Sequence, residues 1–255
     1  MKILVLDIET TPNLAWTWGL WKQNIAPNQI EEASRLLCWA AKWYGTNKTI
    51  FDRSDSMLEH LHELLTDADA VVHYNGTKFD IPRINTEFAK LGWEQPDPYK
   101  QIDMLKVVRK HFGFPSNRLD YVCQELGLGK KVETNNKMKL WLDCMDDEDK
   151  AWRTMERYNK QDIRILERLY EELKGWIHNH PNFGLYADDS AGVPVCTNCG
   201  GDNVVKKGTE TTRARVYRRY RCNDCGNPMR GASSLVRDDE TGEWWERPTD
   251  KGEVL

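Results

Sequence analysis

The sequence predicts an α/β fold, a mixed sheet flanked by helices, followed by a small C-terminal metal-binding module. Two observations predict it. Strand patterns come first along the chain, strands and helices then alternate, and the remainder before residue 178 is mostly helical. Four cysteines follow in two pairs with the spacing of a metal site. The 255 residues suffice for one large domain with its own core and one small module.

The predicted strands are short apolar segments. Residues 3–6 form a continuous apolar run that ends in acids, which is typical of a buried strand. The short connection between the next two strands favours an antiparallel pair that turns near residues 45–48. The predicted strands are residues 3–6, 36–44, 49–51 and 70–72.

Helical spacing of apolar residues recurs over five later segments. Ser54 or Asp55 is the candidate N-cap of the first helix, and Pro82 occupies a tolerated first-turn position in the second. The predicted helices are residues 57–65, 81–91, 103–112, 117–126 and 147–178. Prolines and glycines then interrupt the periodicity. We therefore expect a large domain, a linker, a cysteine module and an acidic tail at residues 1–178, 179–194, 195–236 and 237–255.

The net charge of −4 would by itself argue against a nucleic-acid partner, but the charges are unevenly distributed. Residues 202–230 carry eight bases and three acids, whereas residues 237–255 carry three bases and seven acids. No apolar run is long enough to cross a bilayer, and Asp7 interrupts any signal peptide at the N-terminus. We expect a soluble, cytoplasmic protein that does not bind membranes.

Acidic residues follow the predicted strands. Asp7 and Glu9 project to the same side of the first strand, because alternate residues share a face. Two acids so placed need a proton or a cation, and their hard oxygen ligands suit Mg²⁺ or Mn²⁺. Asp80 follows a strand and loop, and Asp162 shares a helical face with Tyr158. Each acid alone is more often a solvated surface charge, so the prediction depends on the joint pattern.

Three motifs resemble those of a known family. Asp7-Ile8-Glu9-Thr10, Asn75-Gly76-Thr77-Lys78-Phe79-Asp80 and Tyr158-Asn159-Lys160-Gln161-Asp162 resemble the three exonuclease motifs of DEDDy 3′→5′ exonucleases on the RNase H-like fold. The chain is most similar to the proofreading domain of B-family DNA polymerases and its stand-alone relatives, including the connecting segments at residues 101–105 and 116–121. The resemblance covers about residues 1–175.

This resemblance implies a metal-dependent 3′→5′ exonuclease that releases mononucleotides, most simply from single-stranded DNA. Two Mg²⁺ or Mn²⁺ ions would bind the terminal phosphodiester, activate water and stabilise the leaving oxygen. The implied metal ligands are Asp7, Glu9, Asp80 and Asp162, and Tyr158 would position the attacking water. Thr10 and Asn75 would lie beside the 3′-terminal nucleotide and Phe79 near it, although roles in turn and core are equally open for these three.

Other readings of the same motifs stay open. A ribonuclease with this chemistry is one, since nothing in the sequence selects against a 2′-hydroxyl. A catalytically silent nucleic-acid-binding module is another. No polymerase domain is present in this sequence, so proofreading would need a polymerase or a replication or repair partner in trans. Asp103 is interpreted as a helix cap and His73 as a hydrogen-bonded core residue.

Trp16, Trp18 and Trp21 cluster shortly after the acid pair. A stacking platform for single-stranded bases is one interpretation. Core filling is the other, and it is favoured here because tryptophan usually buries most of its surface.

Cysteines predict a structural zinc site. Cys196 and Cys199 form one pair, Cys222 and Cys225 the other, and Gly200 and Gly226 give each turn its freedom. Four sulfurs satisfy one tetrahedral Zn²⁺ with no open position, and the module resembles a zinc ribbon with a hairpin over about residues 204–221. Alternation through the hairpin predicts a nucleic-acid-binding face with Arg213, Arg215, Tyr217, Arg219 and Arg221, unless it is simply a solvated face.

Overall fold

The computed structural model describes residues 1–133, 137–186 and 195–246. The chain divides into two compact units, Lys2–Leu169 and Tyr170–Leu255 with Met1. Part of the predicted linker and the end of the predicted acidic tail fall at residues 187–194 and 247–255, outside the described residues. Within the described ranges, no helix is both long and apolar enough to cross a membrane.

A five-stranded mixed sheet lies at the centre of the larger unit. Its strands and those of a small two-stranded ladder are β1 (Ile3–Thr10), β2 (Leu14–Ala15), β3 (Ile30–Glu32), β4 (Leu36–Trp43), β5 (Thr49–Asp52), β6 (Ala70–His73) and β7 (Lys100–Asp103). The sheet order is β5-β4-β1-β6-β7. Because β1 pairs antiparallel with β4 and parallel with β6, the predicted mixed sheet is confirmed. The predicted antiparallel pair is β4 with β5.

Six helices accompany these strands in the part of the chain that the structure describes. They are α1 (Met57–Thr66), α2 (Asp80–Lys90), α3 (Met104–His111), α4 (Leu119–Glu125), α5 (Lys137–Met145) and α6 (Asp149–Leu173). All five predicted helices are present, and α5 is an additional one. The N-cap of α1 is Ser56, whose side chain makes no capping hydrogen bond, so the predicted caps at Ser54 and Asp55 were wrong. The longest helix ends at Leu173 and passes into a 3-10 turn that contains Gly175, a poor helix former.

The sheet separates two hydrophobic clusters. Leu4, Leu6 and Ile8 of β1 pack in one cluster with residues of α1 and α2. The other cluster joins Cys38 of β4 to residues of α5 and α6, including Tyr158. Side chains alternate along β1, so its odd-numbered residues lie on the face of the sheet that α6 covers.

The smaller unit contains a four-stranded antiparallel sheet. Its strands are β8 (Val204–Thr211), β9 (Val216–Cys222), β10 (Pro228–Arg237) and β11 (Trp244–Glu246), in the order β11-β10-β9-β8. The pairing of β8 with β9 is the predicted hairpin. Because β11 pairs with β10, the described part of the predicted acidic tail adds an edge strand to this sheet.

Candidate functional site

Three carboxylates meet near the end of β1. One carboxylate oxygen from each of Asp7, Glu9 and Asp162 lies within 4.8 Å of the other two. The first two share a face of β1 as the alternation predicts, and the third projects from α6 on that side of the sheet. Carboxylates this close repel one another unless a proton or a cation compensates their charge. The donor set therefore fits a hard divalent cation such as Mg²⁺ or Mn²⁺.

The environment of Asp7 reflects this crowding. Burial raises the pKa of the Asp7 carboxyl well above its ordinary value. Neighbouring negative charges raise the pKa further, those of Asp162, Glu9 and Asp80 in that order. The buried side-chain amide of Asn159 donates a hydrogen bond to Asp7 Oδ2 over 2.6 Å. This bond fixes the orientation of the Asp7 carboxylate.

A lysine that no sequence motif marks lies in the same site. Lys131 Nζ is 2.5 Å from Oδ2 of the buried Asp162 carboxylate. Burial acts to lower the pKa of Lys131, but the charges of Asp162 and Asp7 and the hydrogen bond to Asp162 together outweigh it, and the pKa lies above its ordinary value. The side chain is therefore a permanent ammonium that neutralises part of the acidic cluster.

Tyr158 lies one helical turn before Asp162 and is buried. Its ring packs edge-on against Trp141, with centroids 5.8 Å apart, and Lys131 Nζ lies 5.4 Å from its ring centre. Burial and the charge of Asp162 raise the pKa of the Tyr158 hydroxyl. The phenol therefore keeps its proton at neutral pH and can both donate and accept a hydrogen bond.

Asp80 is the buried first residue of α2. Among the described residues, the group of carboxylates within 4.8 Å does not include it, although its charge acts on Asp7. Burial raises the pKa of Asp80 to about 6, while the backbone N–H groups of Asp80 and Ile8 act to lower it. Asp80 thus lies beside the group of three carboxylates.

We expect the stability of the protein without Mg²⁺ or Mn²⁺ to fall as the pH rises from about 4 to about 6. The lower limit is the pKa of Asp80 in the unfolded chain, and the upper limit is its pKa in the folded protein. The folded state holds a proton there that the unfolded state has released. Asp80→Asn should therefore raise the free energy of unfolding near neutral pH by about 3 kcal/mol, because the amide carries no buried charge. Thermal unfolding of both proteins as a function of pH measures this.

Glu87→Gln is the matched control, since Glu87 lies on the same helix and forms an ion pair with the exposed Lys90. We expect its pH profile to follow that of the wild type. Equal stability of Asp80→Asn and wild type near neutral pH would show that Asp80 carries no such penalty.

The other residues predicted to contact substrate lie at turns and strand ends. Thr10 is the last residue of β1, and Phe79 has 40% of its surface exposed just before α2. Asn75 has a positive φ of 70°, which asparagine tolerates, and its N–H donates to Asp103 Oδ1 over 2.9 Å. Asp103 also accepts a hydrogen bond from the N–H of Leu105, which confirms the predicted helix cap.

The predicted role of His73 is confirmed as well. It is fully buried, and its Nδ1 accepts a hydrogen bond from the N–H of Gly76 over 3.0 Å. Its Nε2 lies 3.2 Å from Gln101 Oε1. A Cβ at Gly76 would lie 2.4 Å from the imidazole ring, so this turn requires glycine.

A cleft of about 930 Å³ opens beside Asp7. Four basic side chains line it, namely Arg109, Arg118, Lys130 and Lys131. The two lysines form ion pairs with Glu133 and Asp162. The guanidinium groups of Arg109 and Arg118 have no such partner among the described residues. An anionic ligand such as a phosphate would provide one.

The tryptophan cluster does not fill the core, so the favoured interpretation was wrong. Trp16, Trp18 and Trp21 are 71%, 98% and 84% exposed. They lie in the segment between β1 and β4, where only the short β2–β3 ladder provides regular pairing. Such a segment has too little backbone pairing to bring three large rings under the sheet.

The four predicted cysteines come together in the smaller unit. Sγ atoms of Cys196 and Cys225 are 3.5 Å apart, and those of Cys199 and Cys222 are 3.6 Å apart. All four lie within 4.8 Å of one another. Four sulfurs around one Zn²⁺ at tetrahedral geometry would be about 3.8 Å apart. The cluster therefore fits a closed zinc site.

The backbone of the turn that follows each cysteine pair also suits a metal site. Gly200 and Gly226 both have a φ of 74°, the left-handed conformation for which glycine was predicted. Burial acts to raise the pKa of the Cys196 thiol, but N–H groups of Cys199 and Asn198 bring it below its ordinary value. A lowered pKa favours the thiolate form that binds metal.

The basic hairpin differs from the prediction at its tip. Arg213 and Arg215 lie in the turn, not on the strand face, because the Thr212 side chain accepts hydrogen bonds from the backbone after it and ends the pairing. Only three of the predicted residues share one face of β9, namely Tyr217, Arg219 and Arg221. Arg230 joins this face opposite Arg219.

The chain belongs to the RNase H superfamily, whose family model matches residues 4–174. This membership supports a nuclease function, and with it binding of nucleic acid. The matched region contains every residue of the acidic site. Comparison with curated protein sequences gives no match.

Among solved structures, the chain is similar to the family B DNA polymerase from the hyperthermophilic archaeon Pyrobaculum calidifontis, with a TM-score of 0.52 and 17% sequence identity. The similarity covers 68% of this chain and 24% of that chain. The chain thus corresponds to about a quarter of the polymerase, and the likeness is one of fold.

Proposed function

We propose that this protein is a metal-dependent 3′→5′ exonuclease that releases mononucleotides, most readily from single-stranded DNA. The observation that carries the proposal is the group formed by Asp7, Glu9 and Asp162, with oxygens within 4.8 Å of one another. Superfamily membership supports a nuclease, and the resemblance of the three motifs to those of DEDDy exonucleases suggests the direction of cleavage.

The carboxylates are the residues that would hold the catalytic cations. Asp7, Glu9 and Asp162 would bind Mg²⁺ or Mn²⁺, and Asp80 would contribute its carboxylate from α2. When bound, the cations polarise the phosphodiester and increase the acidity of water. The hydrogen bond from Asn159 keeps the Asp7 carboxylate in one orientation while substrate enters and product leaves.

Tyr158 positions the attacking water. Its hydroxyl keeps its proton because burial raises its pKa, so it orients water by hydrogen bonding. Thr10 ends β1, Phe79 immediately precedes α2, and Asn75 lies in the loop between β6 and α2, which suits contact of all three with the 3′-terminal nucleotide.

The cleft beside Asp7 accommodates the phosphate chain. Arg109 and Arg118 line it, and their guanidinium groups can each bind a phosphate in bidentate geometry. The polymer would then leave the acidic site past these two arginines.

Product analysis tests the proposal. We expect purified protein with Mg²⁺ or Mn²⁺ to release nucleoside 5′-monophosphates one at a time from the 3′ end of 5′-labelled single-stranded DNA. Matched RNA and duplex substrates measure the preference for polymer and strand state. Internal cuts, or shortening from the 5′ end, would contradict the proposed direction. No release from any substrate would contradict the enzyme itself.

The smaller unit is proposed to be a zinc ribbon that binds one Zn²⁺ and aids capture of nucleic acid. Its exposed Arg219 and Arg221 lie on one face of β9, and Arg230 lies beside them with its guanidinium over the Tyr217 ring at 4.5 Å. The arginines of such a face neutralise phosphates.

Replacing Arg219 and Arg221 together by Gln should weaken binding of single-stranded DNA. We expect the slope of log affinity against log salt to become shallower by about 1.4, about 0.7 for each lost phosphate contact. Fluorescence anisotropy at several salt concentrations measures it. Arg237→Gln is the control, since that side chain donates to the Gly242 carbonyl. An unchanged slope in the double variant would assign the ribbon to another role.

A further inference from the structure

The segment between β1 and β4 carries an unusual surface. Six large apolar side chains between residues 14 and 25 are more than 40% exposed, namely Leu14, Trp16, Trp18, Leu20, Trp21 and Ile25. Single exposed apolar residues are common on proteins, but a group of this size marks a binding surface.

Hydrogen bonds hold the first of these rings by its edge. Trp16 Nε1 donates to Glu31 Oε2 over 2.8 Å, and the backbone of Trp16 exchanges hydrogen bonds with Gln29. With its polar edge bound and 71% of its surface exposed, Trp16 leaves much of its ring open to a planar ligand. Trp18 and Trp21 follow within five residues and are exposed further.

The segment is joined directly to the strand that carries the catalytic acids. Its first residue, Thr11, follows β1, is buried, and is hydrogen-bonded to Arg35 through backbone and side chain. Trp16 is seven residues from Glu9, so at most about 25 Å of chain separates them. The exposed rings are therefore tied to the candidate active site.

The charges near these rings are few. Lys22 is the only charged residue from position 14 to position 25, and the neighbouring acids lie at one end of the segment, where Glu31 binds the edge of Trp16 and Glu32 pairs with Leu14. Indole rings offer flat faces for stacking, and every nucleobase has such a face. Unpaired bases match this combination of flat apolar surface and one positive charge.

We propose that Trp16, Trp18 and Trp21 form a stacking platform for unpaired nucleobases of the strand whose 3′ end enters the acidic site. This inference rests on the proposed exonuclease function. The tryptophan platform would select single-stranded over paired ends, because the faces of paired bases are covered by their neighbours. It would not distinguish DNA from RNA, since both present the same faces.

The test measures binding without cleavage. Full-length protein carrying Asp7→Asn, in buffer without Mg²⁺ or Mn²⁺, is titrated into fluorescent oligo(dT), oligo(rU) and a blunt duplex. We expect Trp18→Ala to weaken binding of both single strands about tenfold and to leave duplex binding unchanged. Trp18→Phe keeps a stacking ring and should stay within about threefold of the parent.

Leu20→Ala is the matched control. Leu20 lies on the same exposed surface and is 89% exposed, but it has no ring to stack, so its removal should weaken binding by less than about twofold, far less than Trp18→Ala. Trp18 is 98% exposed, so neither substitution should shift the thermal unfolding midpoint.

Several results would overturn the platform. One is a variant with all three tryptophans replaced by alanine that still binds single strands as tightly as the parent protein. That result would point to a protein or lipid surface instead. Equal losses in Leu20→Ala and Trp18→Ala are another, and absence of single-strand binding by the parent is a third. If the wild type cleaves DNA but the tryptophan variants bind single strands as the parent does, only the platform is contradicted. If binding depends on the tryptophans but no cleavage occurs, only the exonuclease function is contradicted.

Discussion

Asp7→Asn should lower the rate of mononucleotide release by roughly 1000-fold or more in the presence of Mg²⁺ or Mn²⁺. Asp7 lies at the centre of the acidic group, where the charges of three other carboxylates act on it. The amide keeps the size of the side chain and removes the negative charge that holds the cations. A single-turnover assay with 5′-labelled single-stranded DNA measures the loss.

Folding and binding controls make this result specific. Asp67→Asn changes an exposed acid paired with Lys2 and should keep the wild-type rate. Because Asp7 carries a buried charge, we expect Asp7→Asn to unfold at a higher temperature than the wild type in metal-free buffer. Wild-type cleavage by a folded Asp7→Asn protein would remove the acidic group from the mechanism.

Cys222→Ser should remove zinc from the protein and unfold the smaller unit. Four thiolates close the site, and a structural zinc contributes about 10–16 kcal/mol of binding free energy to a small module. The apolar cluster around these sulfurs has only two buried residues besides Cys196 and Cys222, namely Tyr220 and Met229, so the core alone is too small to compensate. Metal analysis after gel filtration should give one zinc per wild-type chain and less than half that in the variant.

Cys144→Ser is the control for this experiment. Cys144 is buried in the larger unit among residues of α5 and α6, so its substitution should leave the zinc content unchanged. Limited proteolysis provides a second measurement, since the loss of zinc should expose the region from residue 195 to residue 246. Full zinc retention in Cys222→Ser would contradict a four-cysteine site.

Local patterns predicted most of the elements of the fold. Continuous or alternating apolar residues predicted β1, β4, β5 and β6, and helical spacing predicted five helices. Helix α5 was missed because it is only nine residues long and its buried residues, among them Leu140 and Cys144, are fixed by contacts with distant residues of β4 and α6. The glycines at 127 and 129 and the polar residues at 134–136 were the breaker and cap signals that could have predicted it. The strand β11 was missed because acids on both sides of Trp244 and Trp245 conceal a three-residue edge strand.

The acidic site was predictable where one element carries several of its residues. Asp7 and Glu9 share a strand face, and Asn159 lies one turn before Asp162, so its contact with Asp7 was within reach of the sequence. Lys131 was not. It approaches Asp162 across 31 positions of sequence from an irregular segment, and no periodicity specifies such a contact.

The main wrong prediction was that the three tryptophans fill the core. Hydrophobic residues are buried on average, but burial requires an element that faces the core, and the segment from Thr11 to Arg35 has little regular structure. Its composition was visible in the sequence. Its position outside both hydrophobic clusters was not.

The hydrogen bonds between Thr11 and Arg35 have an evolutionary consequence. They close the segment at its base, and β1 and β4 pair immediately beyond them. Doubling the length of a closed loop costs only about 0.6 kcal/mol, so insertions and sequence drift between these two residues would leave the sheet intact. Lineages could therefore exchange this segment as a cassette and acquire a new preference for polymer ends while the acids on β1 stay unchanged.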